Sequence, residues 1–160
     1  MAGAQQSPEL SELICFDLYA ASRAFTGLYR SLLSEHGMTY PQYLVLVVLW
    51  RERERTVKQL SDALSLDYGT LTPLLKRLEI KGLIVRERRR DDERSVTVRL
   101  TDTGRASEAQ LRHIPRRIHG ATGLDVDQAA ALHGTLRALT ESVTAYTANA
   151  APTAAAGVMA

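Results

Sequence analysis

Between Leu83 and Leu100 the spacing of apolar residues changes from three or four to two. Leu83 and Val85 alternate with Ile84, Arg86 and Arg88, and Val96, Val98 and Leu100 alternate with Thr97 and Arg99. That period belongs to strands, and the polar stretch Arg89 to Ser95 between them makes a β-hairpin with a charged tip. Just upstream, Thr56 caps a helix with Val57, Leu60 and Leu64 on one side. Ser65-Leu66-Asp67 is a short turn, and a further helix runs to about Lys81, where Gly82 stands as a C-terminal stop. Pro73 is tolerable only near a helix start, so the first turn of that helix is expected to be irregular. Two helices joined by a tight turn, followed by a basic-tipped hairpin, form a winged helix-turn-helix pattern.

The flanking segments read as helices. Ser7-Pro8-Glu9 combines a serine cap, a first-turn proline and an acid. From there Leu10, Ile14, Leu18, Ala21, Phe25, Leu28 and Leu32 step by three or four, predicting a helix through about Leu33. Gly37 ends that region, and Thr39-Tyr40-Pro41 opens a second helix, very apolar from Tyr43 to Trp50 and closed by the charged Arg51 to Arg55. After the hairpin, Thr101 caps a helix that Pro115 ends or kinks. Asp125 and Gln128 form a capping-box-like start for the last helix. Its Leu132, Leu136, Leu139, Val143 and Tyr146 keep alternate 4-3 spacing, a seam that suits a dimerisation helix and packing within the chain equally. The Ala-rich, uncharged residues 149–160 read as a disordered tail. The expected organisation is mainly helical with a small β-hairpin wing. It has an N-terminal dimerisation helix at 1–36, a winged helix-turn-helix at 37–100 and C-terminal dimerisation helices at 101–148.

The whole chain of 160 residues carries 20 Lys/Arg against 18 Asp/Glu, but the charge is unevenly placed. Residues 51–100 hold 13 basic and 9 acidic groups, a net of +4, and the rest hold 7 and 9, a net of −2. Positive charge on the helix-turn-helix segment is what counterion release from DNA favours. Tyr68, Gly69, Thr70 and Thr72 begin the helix that would read base edges, and Lys76 and Arg77 follow one turn on, suited to phosphates. Arg88, Arg89, Arg90 and Arg94 decorate the hairpin tip, where an arginine can enter a narrow minor groove. Asp91, Asp92 and Glu93 fit a DNA-facing loop poorly: a carboxylate beside Arg94 can hold its guanidinium in one pose, and the three acids are equally read as plain repulsion. Read as charge alone, the run is also an ordinary solvated hairpin.

Cys15 is the only cysteine. An internal disulfide and a multi-cysteine metal site are both excluded, no cofactor or metal is expected, and the usage fits a reducing cytoplasm. The N-terminus lacks a signal-peptide layout and no run is long enough to span a bilayer, so no membrane role is expected. Cys15 shares a helical stripe with Tyr19, Ser22, Thr26 and Tyr29. A lone cysteine is commonly a small buried hydrophobe, but a phenol donating to sulfur favours the thiolate, the nucleophilic form. Cys15 and Tyr29 are about 21 Å apart along one helix and cannot touch within it. They can meet where two copies of the helix cross near a two-fold axis, with Tyr40 joining the cluster.

Cys15-Phe16-Asp17-Leu18-Tyr19-Ala20-Ala21-Ser22-Arg23 and Thr39-Tyr40-Pro41-Gln42-Tyr43-Leu44 resemble the organic hydroperoxide resistance regulators (OhrR) of the MarR family. Leu66 to Leu75 is similar to their recognition helix, and Asp92-Glu93-Arg94 with Leu100-Thr101 to their wing. The resemblance covers about residues 10–105 and implies a cytoplasmic homodimeric repressor, not an enzyme, that leaves its operator when organic hydroperoxides oxidise Cys15. It implies Tyr29 and Tyr40 as contacts to Cys15 from the partner subunit, Tyr19 as a side chain that moves on oxidation, and Arg94 as the minor-groove arginine. Phe16 would border the peroxide pocket. The chain has no second cysteine to resolve a sulfenic acid, so oxidised Cys15 must be capped by a low-molecular-weight thiol, cyclise or over-oxidise. Tyr68 replaces a residue that is often small in the family. The alternatives are a MarR-type repressor released by a non-covalent phenolic or lipophilic ligand, a one-cysteine thiol peroxidase, and a sequence-independent architectural DNA protein.

Overall fold

The computed structural model describes residues 9–88 and 95–150. The chain divides into two compact units between Ile118 and His119. In the first, helices α1 (Ile14–Leu33) and α2 (Tyr40–Glu52) precede strand β1 (Glu54–Thr56). Helices α3 (Val57–Leu64) and α4 (Tyr68–Ile80) lead to strands β2 (Ile84–Arg88) and β3 (Val96–Leu100), then to α5 (Asp102–Leu111) and α6 (Ile114–Thr122). Helix α6 runs across the division, and the second unit is otherwise built on α7 (Val126–Ala150).

Helix α2 is apolar nearly all round, and such a helix must be enclosed. It packs against α1, α3, α4, α5, β1 and β3. Its Tyr43, Val45, Leu46 and Leu49 meet Leu33 of α1, Leu60 of α3, and Leu71, Leu75 and Leu78 of α4 in one core. Each fully buried leucine contributes roughly 1.5–3 kcal/mol relative to an exposed one. The start of α2 is fixed by the Thr39 N–H, which donates to Oε1 of the buried Gln42 at 3.0 Å.

The sheet has strand order β1-β3-β2, wholly antiparallel. Strand β1 is absent from the sequence reading because Glu54-Arg55-Thr56 carries no apolar alternation. It exists because α2 stops at Arg53, in a positive-φ conformation, and the next three residues pair with Arg99, Val98 and Thr97. In β2 the expected alternation is reversed at two positions: Ile84 is 1% exposed and Val85 37%, with Leu83 also buried just ahead of the strand. The cause is the corner before it. Gly82 adopts φ +67°, and the Leu83 N–H closes back on the Leu78 carbonyl at 3.0 Å, which turns the chain before the strand begins.

The same corner is tied to α5. The Thr101 hydroxyl donates to the Gly82 carbonyl at 2.6 Å and accepts from the Gly104 N–H at 2.9 Å. The Thr101 N–H donates to the Leu83 carbonyl at 3.1 Å. Trp50 Nε1 donates to the Gly104 carbonyl at 3.0 Å. A Cβ on Gly104 would lie 1.9 Å from the Leu83 oxygen. The approach of α5 to the base of the hairpin therefore requires glycine at 104.

Three helix boundaries differ from expectation. The first helix begins at Ile14, after a separate 3-10 turn at Leu10–Glu12 and an extended Leu13; the expected Ser7-Pro8 start lies outside the described residues. Helix α4 starts regularly and runs through Pro73. The missing N–H would have bonded the carbonyl of Gly69, which is exposed and open to water. Pro115 is the second residue of α6, where its missing N–H costs little, and the break falls before it. Asp125 and Gln128 exchange hydrogen bonds at 3.0 and 2.8 Å at the head of α7. That helix includes Asn149 and Ala150, the first two residues of the expected tail; the rest of the tail lies outside the described residues.

Candidate sensor thiol and nucleic-acid interface

Cys15 is the second residue of α1 and is exposed, with Phe16 half-buried beside it. One turn along, the Tyr19 hydroxyl accepts from Arg23 Nη1 at 3.3 Å, and the Arg23 guanidinium lies 5.6 Å from the Tyr19 ring centre. Tyr29 is near the other end of α1, and because α1 is one unbroken helix it lies about 21 Å from Cys15 along the axis. The structure thus keeps Cys15 and Tyr29 apart within one chain.

Tyr29 instead meets α2. Its ring stacks on Tyr40, with centroids 3.9 Å apart and planes at 22°, and tilts against Tyr43 at 5.8 Å. Tyr43 in turn meets Trp50 edge-on at 6.0 Å. Burial, then the neighbouring Tyr40 and Tyr43 and a hydrogen bond with Tyr40, push the Tyr29 phenol up to about 12. Tyr43 is also raised, by burial first and by Tyr40 second. A protonated phenol is a hydrogen-bond donor, so Tyr29 offers a donor at any physiological pH. Tyr43 and Trp50 are absent from the sequence-derived site. Their spacing from Tyr40, three and ten residues along one helix, was the available signal.

The second candidate surface is α4 with the hairpin. Asp67 caps the helix and takes both the Thr70 N–H and the Thr70 hydroxyl, each at 2.8 Å, which holds its carboxyl below the usual range. Thr70 is therefore occupied with the cap. Tyr68, Thr72 and Lys76, four residues apart, line one exposed edge with Gly69 beside them, and Arg77 lies further round. Leu71, Leu75 and Leu78 point the opposite way into the core. Arg88 is exposed at the end of β2, across from Val96. Arg90, Asp92 and Arg94 lie outside the described residues. Arg86 of β2 donates through Nε and Nη2 to the Glu79 carboxylate of α4 at 3.0 and 2.6 Å, a link missed from sequence because it joins two elements seven residues apart. Among the described residues no cluster of His, Cys, Asp or Glu could hold a metal ion, and no helix is long and apolar enough to cross a membrane.

A helix-turn-helix followed by an antiparallel wing, flanked by helices on both sides, defines a winged-helix regulator of the MarR type. The transcriptional regulator SarA/Rot family matches residues 27–111, and the chain belongs to this family of MarR-like transcription regulators, not to an enzyme family. It is 45% identical to the HTH-type transcriptional regulator TtmR of Methylorubrum extorquens over 88% of this chain and 72% of that protein. It is 42% identical to the organic hydroperoxide resistance transcriptional regulator of Bacillus subtilis, over 84% of this chain and 92% of that one. Among solved structures it resembles reduced AbfR bound to DNA, a Staphylococcus epidermidis protein. The TM-score is 0.72 at 34% identity, covering 84% of this chain and 94% of AbfR.

Proposed function

We propose that the chain is a homodimeric repressor that leaves its operator when an organic hydroperoxide oxidises Cys15. The observation that carries this reading is an exposed thiol at one end of an α1 face and, at the other end of that face, Tyr29 stacked on Tyr40 of α2. They are too far apart to meet in one chain and well placed to meet across two. The similarity to a regulator named for organic hydroperoxide resistance supports it. So do the apolar side chains that α1 leaves exposed, Ile14, Leu18 and Phe25, and those that α7 leaves exposed, Leu132, Leu136 and Val143. Exposed apolar faces of this kind mark interfaces. Residues 1–36 and 101–148 act as the dimerisation segments and 37–100 as the DNA-binding segment. Tyr68, Gly69, Thr72, Lys76, Arg77 and Arg88 face DNA, with Thr70 setting the helix start. Arg90, Asp92 and Arg94, outside the described residues, complete the proposed DNA-contacting set on the resemblance of Asp92-Glu93-Arg94 to the family's wing.

The chemistry is stoichiometric. The Cys15 thiolate attacks the terminal peroxide oxygen of ROOH. An S–O bond forms and the O–O bond breaks; sulfur loses two electrons and keeps the peroxide's OH as sulfenic acid, and the alkoxide leaves as ROH after taking a proton from water. The sulfenic acid then condenses with a low-molecular-weight thiol, forming a mixed disulfide and releasing water. Tyr29 and Tyr40 donate to the reduced sulfur of the partner copy, and the added bulk breaks those contacts. Phe16 borders the peroxide, and Tyr19 gives up its Arg23 contact as the helices shift. Two DNA-binding segments held at a new spacing no longer match two half-sites.

DNA binding by the wild type and by Cys15→Ser, with and without cumene hydroperoxide, tests this. Release in the wild type and retention in the variant are expected. Peroxide-induced release that survives Cys15→Ser overturns the reading. Release by a phenolic compound with no change in protein mass would favour the non-covalent alternative.

A further inference from the structure

Gly104 is the residue at which α2 meets the base of the wing, and it is held from three sides. Its N–H is taken by the Thr101 hydroxyl, which itself donates to the Gly82 carbonyl. Its Cα lies so close to Leu83 that an added Cβ would stand 1.9 Å from the Leu83 oxygen. Its carbonyl accepts two bonds, one from Trp50 Nε1 at 3.0 Å and one from the Ser107 hydroxyl at 2.7 Å. The two donors differ in origin. Ser107 belongs to α5 and satisfies the carbonyl from within its own helix. Trp50 reaches it from the last turn of α2, so its bond joins two elements. Behind Trp50 the aromatic contacts run without a gap to the tyrosine pair. Its ring meets Tyr43 edge-on at 6.0 Å, Tyr43 tilts against Tyr29 at 5.8 Å, and Tyr29 stacks on Tyr40 at 3.9 Å. On α2 the row extends from the first residue to the last turn, about 15 Å. Packed interiors transmit displacement of this kind because they deform little and shift between discrete arrangements.

On the reading that oxidation of Cys15 frees the operator, we propose that Trp50 is the positioning residue that ties the wing to the sensor tyrosines. With the thiol reduced, the row of rings stands as described and the Trp50 N–H holds α5, and with it the wing corner, against α2. When added bulk at Cys15 displaces Tyr29 and Tyr40, Tyr43 follows and the Trp50 indole turns. The Gly104 carbonyl then keeps Ser107 alone, which costs the corner little and lets α5 carry the base of the wing to a different angle. Trp50 touches neither peroxide nor DNA in this scheme. It acts through Gly104, whose other bonds to Thr101 pass the movement to Gly82 and Leu83.

The experiment uses the full chain, reduced or oxidised with cumene hydroperoxide in the presence of cysteine, and a duplex selected in vitro for binding to the reduced wild type. The quantity read is the ratio of oxidised to reduced dissociation constants. Trp50→Phe keeps a ring against Tyr43 and removes the N–H. It is expected to lose Cys15 thiol at the wild-type rate and to shrink the ratio about 5-fold, the scale of one hydrogen bond. Ser107→Ala removes the other donor to the same carbonyl. It is expected to lower the melting temperature by a similar amount and to leave the ratio as in the wild type, which separates coupling from support of the fold. Trp50 is the only tryptophan, so its fluorescence gives a second readout that needs no variant in the core. Oxidation should shift the emission of the wild type and leave that of Cys15→Ser unchanged. An unchanged ratio in Trp50→Phe, equal shrinkage in Ser107→Ala, or a wild-type emission that ignores oxidation overturns the assignment. A wild type that keeps its DNA after oxidation fails the underlying reading instead, and is seen before any variant is made.

Discussion

The ring of Tyr29 lies on that of Tyr40 with centroids 3.9 Å apart, joining the C-terminal end of α1 to the first turn of α2. The pair is the pivot of the proposed sensor, because a thiol arriving from a second copy would find its donors already stacked. Truncating one phenol should leave the stack and remove a donor. Tyr40→Phe is expected to keep the fold, by circular dichroism and melting, and to slow Cys15 oxidation by cumene hydroperoxide about 10-fold, the scale of one hydrogen bond to a charged group. Stopped-flow thiol loss measures this. A rate equal to wild type removes Tyr40 from the sensor.

The raised Tyr29 phenol makes an alkaline prediction. Its folded value of about 12 exceeds the ordinary 10.0, so the native state holds the proton more tightly than the unfolded chain. Its contribution to stability is complete below pH 10 and is lost as pH rises toward 12. Denaturant titrations from pH 9 to 12 should show stability falling, with a smaller fall in Tyr29→Phe. In an ultraviolet titration the last tyrosine to ionise should be missing from that variant. Identical alkaline profiles would contradict the burial of this phenol.

The order of elements was legible because caps, glycine stops and periodicity act locally. Thr56, Gly82 and Thr101 each terminate or start an element where their chemistry predicts. Strand β1 was not legible, since Glu54-Arg55-Thr56 is a strand only by virtue of the β3 edge beside it. The inward face of β2 was missed for a similar reason: the turn at Gly82 sets the register, and the apolar run Leu83-Ile84-Val85 fits either face. For the site, the helical stripe placed Cys15 and Tyr29 on one helix, but the partnership of Tyr29 with Tyr40, Tyr43 and through them Trp50 depends on how α2 crosses α1. In the sequence Arg86 is only one alternating position of the hairpin; its contact with Glu79 depends on how the wing lies against α4.

That contact gives an acid-side prediction. The Arg86 guanidinium, by hydrogen bond and by charge, holds the Glu79 carboxyl below its usual range. A group whose folded value is lowered contributes stability above its unfolded value and loses it as pH falls through the folded one. The side chains are 35% and 29% exposed, so solvent screens the pair and its worth is roughly 0.5 kcal/mol. Glu79→Gln should therefore match the wild type in stability near pH 3 and trail it slightly at pH 7, by chemical denaturation. It should also loosen the wing against α4 and weaken DNA binding more than it weakens the fold. A variant that loses stability equally at both pH values would show that the pair acts through packing and not through charge.

The sharpest structural prediction concerns two glycines. At Gly104 a methyl group would meet the Leu83 carbonyl oxygen at 1.9 Å, and both atoms sit on backbone that other bonds hold in place. Thr101 fixes the corner through the Gly82 carbonyl, and Trp50 holds the Gly104 carbonyl from α2. Relief requires α5 to move away from the hairpin and break those bonds. Gly104→Ala is expected to cost about 3 kcal/mol or more, the range of overpacking with lost hydrogen bonds. That is a fall in melting temperature of roughly 6–12 °C for a chain of this size. At Gly120 in α6 nothing lies within 4 Å of an added Cβ and φ is not positive, so alanine there should gain up to about 1 kcal/mol from helix propensity. Differential scanning calorimetry on the two variants decides the matter. If both melt with the wild type, the corner at Leu83 is not the tight contact that joins the wing to α5.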